Sequence, residues 1–225
     1  RFYKHQAVGI NAVVAGQHLA ISTATSSGKS VVFTVPVLQA LLTGEPNAVA
    51  LFVFPTKALA QDQLRSMRAL LAADDHLNAA ITCGCLDGDT PFAERCNIAE
   101  TADIILTNPD MLHASVLPAH KRWARLLGRL RFVVLDEAHV YRGVFGAHVS
   151  MVMRRLLRVC TLYGDGVSHA AKRQRARLPQ FITCSATMAS PREHFGALLP
   201  LEKCLGGSTR LCCVTQDTSP QGSKT

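Results

Sequence analysis

Three sets of residues in this chain have the types and spacing to do chemistry. The first is Ala24 to Ser30, ATSSGKS, set between a strand-like run, His18 to Thr23, and an apolar helical segment, Val31 to Leu42. The small residues Thr25, Ser26, Ser27 and Gly28 let backbone N–H groups curl around phosphate oxygens. Lys29 then stands where it would reach β- and γ-phosphates, and Ser30 where it would ligate magnesium. Thr23 occupies the place of the first glycine in the general pattern, and the strand–loop–helix order compensates. The second set ends the apolar run Phe132-Val133-Val134-Leu135, which turns abruptly acidic at Asp136-Glu137. Two carboxylates at the tip of a buried strand are costly without a partner, and a nucleotide-bound magnesium would be one. Alone, this tip also reads as a strand followed by a solvated acidic turn. Together with the Gly-Lys-Ser loop it points to a nucleoside triphosphate. The third set is polar and sits after three further runs: Pro55-Thr56-Lys57, Thr107-Asn108-Pro109-Asp110 and Ser185-Ala186-Thr187.

The elements that must position these residues alternate along the chain. Gln6 to Ala15 has helical spacing, and its Gln6 amide could donate to and accept from an adenine edge or simply begin a helix. Strands are predicted over Asn47 to Phe54, Asn78 to Cys83, Asp103 to Thr107, Phe132 to Leu135 and Phe181 to Cys184. Helices are predicted over Ala58 to Ala73, up to Glu100, and from Phe145 to Tyr163, where Phe145, Val149, Val152, Leu156 and Val159 form one apolar stripe. The basic stretch Lys121 to Arg131 carries Trp123 and could bind nucleic acid by charge and stacking, but reads better as an amphipathic helix with Trp123, Leu126 and Leu127 turned inward. Unalternated apolar strands separated by helices imply an α/β fold with a mostly parallel sheet, and ligands at the strands' carboxyl ends.

A chain of 225 residues with 48% apolar side chains can bury a sizeable core. The formal charge of +8 favours a polyanionic partner. No apolar run is long enough to span a membrane, and no signal-peptide pattern opens the chain. The eight cysteines include no C-x-x-C pair, which argues against a zinc site; Cys160 and Cys184 lie in apolar segments and read as buried thiols, which together with the missing signal-peptide pattern suggests a reducing compartment. Gly164 to Gln180 reads as a basic loop, either a solvated charge run, a nucleic-acid contact or a nuclear-localisation patch. From residue 205 to 225 the chain turns polar and is expected to be a disordered tail.

The order of these tips resembles the first RecA-like P-loop domain of a superfamily 2 DEAH-box helicase, over roughly Phe2 to Leu199. Phe54 to Gln63, Asp87 to Pro91, Thr107 to His113 and Asp136 to Gly146 are similar to the RecQ-related Hrq/MrfA-type DNA helicases, 3′-to-5′ translocases associated with DNA repair. The resemblance implies a RecA-like P-loop domain over residues 1–204, with helices on both faces of the sheet and ATP and Mg2+ as cofactors. By it, Gln6 would read adenine, and Thr25, Ser26, Ser27, Gly28, Lys29 and Ser30 would hold the phosphates. Asp136 would bind magnesium together with Ser30, and Glu137 would polarise the attacking water. His139, Ser185 and Thr187 would couple nucleotide state to grip on nucleic acid, and Thr56, Lys57, Thr107 and Asn108 would touch its backbone. The implied partners are single-stranded or duplex DNA and a second RecA-like domain, which residues 205–225 cannot supply. The implied location is the nucleus, or otherwise the cytoplasm. Asp-Glu-Ala-His does not choose between DNA and RNA, so an RNA helicase domain and a non-catalytic nucleotide-gated binding module stay open.

Overall fold

The computed structural model describes residues 2–25, 27–44, 48–163, 178–199, 201 and 210–219. Among them, seven strands form one sheet in the order β3-β4-β2-β5-β6-β1-β7. The strands are β1 (His18–Ser22), β2 (Val49–Val53), β3 (Cys83–Leu86), β4 (Ile104–Thr107), β5 (Leu130–Leu135), β6 (Gln180–Ser185) and β7 (Leu211–Val214). Every neighbouring pair is parallel. The apolar runs without alternation have this cause: β2 is buried along its whole length, because both faces of the sheet are covered.

One face carries α1 (Lys4–Val14), α2 (Lys29–Thr43), α3 (Lys57–Ala72) and α4 (Asp75–Ala80). Their core takes Val32, Phe33, Leu64 and Met67 from the helices and Phe52 and Val134 from the strands. The other face carries α5 (Phe92–Thr101), α6 (Pro109–Met111), α7 (Ala124–Arg129), α8 (Gly143–Tyr163) and α9 (Pro191–Leu198). Its core takes Leu51, Val53, Val133 and Leu135 from the sheet, with Trp123, Leu126, Leu127, Val149 and Leu156 from the helices. Trp123 is therefore an inward anchor of the basic segment. The predicted stripe of α8 is the buried one, and Cys160 and Cys184 are buried thiols. A shift in register, Val49 opposite Leu130 but Ala50 opposite Phe132, turns Leu130 onto the same face as Val133.

Two expectations are corrected. Asn78 to Ala80 belongs to helix α4, capped by Asp74, whose carboxylate accepts the Leu77 N–H at 3.0 Å; the strand begins only at Cys83. The Asp74-Asp75 start signal outweighs the short apolar run. Residues 210–219 are not a disordered tail either. Leu211-Cys212-Cys213-Val214 is an apolar run just long enough to add an edge strand to β1, in register from His18↔Leu211 to Ile21↔Val214. The basic loop residues 164–177 lie outside the described residues, as do 202–209 and 220–225.

Candidate functional site

The strand order sorts the polar tips into two groups. β5, β6 and β1 are consecutive, so Asp-Glu-Ala-His, Ser-Ala-Thr and the Gly-Lys-Ser loop emerge side by side, with Ser-Ala-Thr in the middle. Two interstrand spacings put roughly 9–10 Å between the outer tips, enough for a phosphoryl group and a cation. β3, β4 and β2 form the other half, and their tips carry Asp87 to Thr90, Thr107-Asn108 and Thr56-Lys57. Neither the grouping nor the central place of Ser-Ala-Thr can be read from motif order.

The phosphate loop is built by contacts that converge on Ser27. Its carbonyl accepts from Gln6 Nε2 at 3.2 Å, and its hydroxyl lies 2.7 Å from Thr23 Oγ1. Gly28, at φ +72°, occupies the left-handed region, and a Cβ there would stand 2.6 Å from Gln6 Nε2, so any side chain would be strained and would displace the Gln6 amide. Helix α2 begins at Lys29, whose ammonium donates to the carbonyls of Thr23 at 3.0 Å and Ala24 at 2.6 Å and so lies across the loop. Thr25 and Ser30 are exposed at this end, and Ser26 lies outside the described residues. Gln6 is buried, with Oε1 accepting the Tyr3 N–H and Nε2 shared between the Ser27 and Gly28 carbonyls. Its first role is to tie α1 to the loop.

At the acidic tip, Glu137 is the one non-glycine residue with positive φ among the described residues, at φ 48° and ψ 40°. Such a conformation is strained for a glutamate and persists where its surroundings enforce it. The enforcing contacts are Asp136 N–H to the Val53 carbonyl at 3.0 Å, Glu137 N–H to Asp136 Oδ1 at 2.8 Å, and the single 3-10 turn Ala138–Val140 that follows. Burial pushes the Asp136 carboxyl up to about 6; the Glu137 N–H and Lys29 oppose the rise, and the Glu137 charge adds to it. His139 Nδ1 lies 3.3 Å from Glu137 Oε2 and 3.4 Å from the Ala186 N–H. The ring thereby bridges the acidic and Ser-Ala-Thr tips. Ser22 Oγ donates to the Ala186 carbonyl at 3.0 Å and accepts the Met188 N–H at 2.9 Å, and the Thr23 N–H reaches the Ser185 carbonyl. Ser185 is buried and donates to the Ala186 carbonyl, and Thr187 is exposed beyond it.

The residues present fit a nucleotide-bound magnesium. No cluster of three His, Cys, Asp or Glu side chains among the described residues could hold a metal by itself. Magnesium asks for less, because it keeps waters and takes phosphate oxygens, and Ser30 with Asp136 offers the hard oxygen donors it prefers. A pH dependence follows. Asp136 must be ionised to hold a cation, so magnesium–nucleotide affinity should fall roughly tenfold per pH unit once the pH drops below about 6. For stability the sign is opposite: the ionised carboxylate costs folding energy at neutral pH, and this cost disappears as the pH falls from about 6 to below 3.8. Calorimetry at pH 7.5 and 5.0, with Asp136→Asn as the reference, reads the binding effect.

The second half of the sheet corrects one assignment. Thr107 is fully buried and its hydroxyl donates to the Leu86 carbonyl at 2.7 Å, so it locks β4 to β3 and cannot meet a nucleic-acid backbone. Asn108 Oδ1 caps α6 by accepting the Met111 N–H, which leaves its NH2 group as what it can offer a phosphate. Thr56 caps α3 through the Leu59 N–H and is exposed. Lys57 is exposed and paired with Asp89 at 2.7 Å, so a phosphate arriving at Lys57 must displace that carboxylate. Sequence reasoning missed Tyr141 and His194. The buried Tyr141 hydroxyl donates to the Val53 carbonyl, and His194 Nε2 lies 2.7 Å from the Ala138 carbonyl, so both brace the acidic loop. A cavity of about 770 Å3 lies beside this brace, between α8 and α9, and is separate from the open phosphate loop.

The sequence pattern of the DEAD/DEAH box helicases matches residues 3–195. The chain belongs to the DEAD/DEAH box helicase family. It is similar to ATP-dependent helicase HRQ1 of Saccharomyces cerevisiae, at 41% identity over 99% of this chain and 19% of that protein. It is also similar to the uncharacterized ATP-dependent helicase YprA of Bacillus subtilis, at 41% identity over 85% of the chain and 23% of the relative. Among solved structures, the DUF1998 helicase MrfA bound to DNA and AMPPNP superposes with a TM-score of 0.83 at 37% identity, covering 98% of this chain and 28% of MrfA. The chain thus spans 19% to 28% of the length of these relatives. The likeness to MrfA carries the RecA-like helicase fold, and no described helix is long and apolar enough to cross a membrane.

Proposed function

We propose that this chain is the ATP-binding motor domain of an ATP-dependent DNA helicase. The observation that carries the reading is the side-by-side emergence of Lys29, Ser185 and Asp136-Glu137 from three adjacent strands. The loop N–H groups and Lys29 bind and orient the phosphates, with Ser30 and Asp136 placed to hold magnesium. When bound, that ion neutralises charge on the transferring phosphoryl group. Glu137, held in its strained conformation, presents its carboxylate to the attacking water. A motor needs a second RecA-like domain to supply an arginine for the transition-state charge. DNA as the track draws support from MrfA, whose solved form is bound to DNA. The polar tips of β2 and β4, with Lys57 foremost, would follow the phosphate backbone. The 3′-to-5′ direction, a place in DNA repair and a nuclear location rest on the likeness to the Hrq/MrfA helicases. The strained, braced Glu137 favours chemistry over a purely nucleotide-gated binding module.

The test is a titration of fluorescent single-stranded DNA and RNA of one sequence with this chain. Weak binding to DNA that falls steeply between about 50 and 200 mM salt, as counterion release requires, is the expected result. Equal or tighter binding to RNA would favour the RNA helicase reading, and no binding at low salt would remove the track.

A further inference from the structure

The segment that follows β7 reaches back to the phosphate loop. His5, whose side chain has no exposed surface, is the bridge. The Thr218 N–H can only donate, and it points at His5 Nδ1 from 3.2 Å, so Nδ1 is the acceptor. The neutral ring therefore carries its proton on Nε2, which donates to the Ser27 carbonyl at 3.1 Å. The Thr218 hydroxyl accepts the His5 backbone N–H at 3.1 Å and lies 3.0 Å from Nδ1. Asp217 adds a second connection. Its carboxylate takes the hydroxyl and N–H of Ser219, which hold it below the usual carboxylate range, and it lies 3.8 Å from His5 Nδ1. A segment 213 positions from His5 thus reaches the loop through that ring, which holds the Ser27 carbonyl, while Gln6 pulls on the same carbonyl from α1.

None of these contacts uses the atoms that would meet phosphate: the Gly28, Lys29 and Ser30 N–H groups and the Lys29 ammonium. Their effect is on the loop's shape. A phosphate loop binds well when its N–H groups already converge before the anion arrives, because ordering them on binding costs affinity. We propose that Thr215–Ser219 is a strap of the nucleotide site, and that Asp217, Thr218 and His5 are positioning residues that hold the loop in its phosphate-receiving shape. The inference rests on the reading of this loop as a nucleoside di- or triphosphate site. It also gives that site a line of communication, because whatever draws the strap away from His5 loosens the loop.

The experiment is calorimetry of magnesium–ADP binding to the 225-residue chain, with hydrogen exchange of residues 23–28 in the ligand-free protein. Thr218→Val keeps the side chain's shape and the backbone N–H but loses the hydroxyl, and Asp217→Ala removes the carboxylate that holds Ser219 and lies against His5. Each should weaken ADP binding roughly three- to tenfold, the worth of one or two hydrogen bonds, and speed exchange across the loop. Their melting temperatures should stay at the wild-type value, since both side chains lie outside the core. His5→Ala should weaken binding further, and His5→Gln, whose amide can still donate to the Ser27 carbonyl, should recover most of the loss. If His5→Ala does not fold, the two strap variants decide. Unchanged ADP affinity in both, with Lys29→Ala abolishing binding, overturns the strap and leaves the nucleotide reading intact. If the wild-type chain binds no nucleotide, both fall.

Discussion

Glu137→Gln should leave nucleotide affinity within about twofold of wild type and lower ATP turnover by roughly two to four orders of magnitude, the usual worth of a positioned general base. The amide keeps the size of the carboxylate and the backbone that Asp136, Val53 and the following turn impose, so binding has no reason to change. What it loses is the ability to take a proton from water. The measurement belongs in a protein that also carries a second RecA-like domain, because without the transition-state arginine the background rate is already low, by roughly 10³-fold or more. For the same reason the 225-residue chain alone should hydrolyse ATP barely. Robust turnover by Glu137→Gln in the two-domain protein would strip Glu137 of its role, and robust DNA-stimulated turnover by the single domain would show the second one unnecessary.

Lys29→Ala should abolish measurable magnesium–nucleotide binding, a loss of at least about a hundredfold. The ammonium is the one side-chain cation in the loop, and hydrogen bonds from a charged donor to phosphate are among the strong ones. Folding should survive the change, since position 29 opens α2 and alanine is a better helix former than lysine. Circular dichroism and melting temperature then serve as the control. Lys29→Arg should fail as well: its planar fork cannot replace a compact charge lying across a tight loop. Equal affinity in wild type and Lys29→Ala would remove the loop from nucleotide binding altogether.

The legible parts of this molecule were those written in contiguous residues. ATSSGKS and the apolar run into Asp136-Glu137 can be read because a phosphate loop and a strand tip are local objects. The inward face of the Lys121 to Arg131 segment was legible for the same reason: three apolar side chains share one helical stripe. What stayed hidden depends on pairing between distant segments. Thr107 reads as a nucleic-acid contact because it sits at a strand tip, but whether a tip hydroxyl faces solvent or its neighbour depends on which strand lies alongside. β7 is hidden as four apolar residues in a polar stretch, because its partners, the edge of β1 and Arg192, lie far from it in the chain or beyond a loop. His5 gave no signal at all, since its partners lie at Ser27 and Thr218.

The place of β1 between β6 and β7 has a consequence for how the molecule comes into being. β1 leaves the ribosome before the other strands of this sheet, yet its partner β6 lies far downstream: the Phe181 N–H that meets His18 Nδ1 is 163 residues later in the chain. At typical synthesis rates of about 5–20 residues per second, β1 waits roughly ten to thirty seconds for that partner. During that interval β2, β4 and β5 can already pair with one another, while an apolar strand with two bare edges stays available to wrong neighbours. Docking β1 is then a late, slow event, since non-local parallel pairing carries the largest loop-closure cost. The phosphate loop hangs from the end of that same strand, so a newborn chain cannot hold nucleotide until nearly all of the sheet has closed. Nucleotide added during refolding should therefore trap only chains that have finished, and in a cell it would act as a late selector of completed molecules.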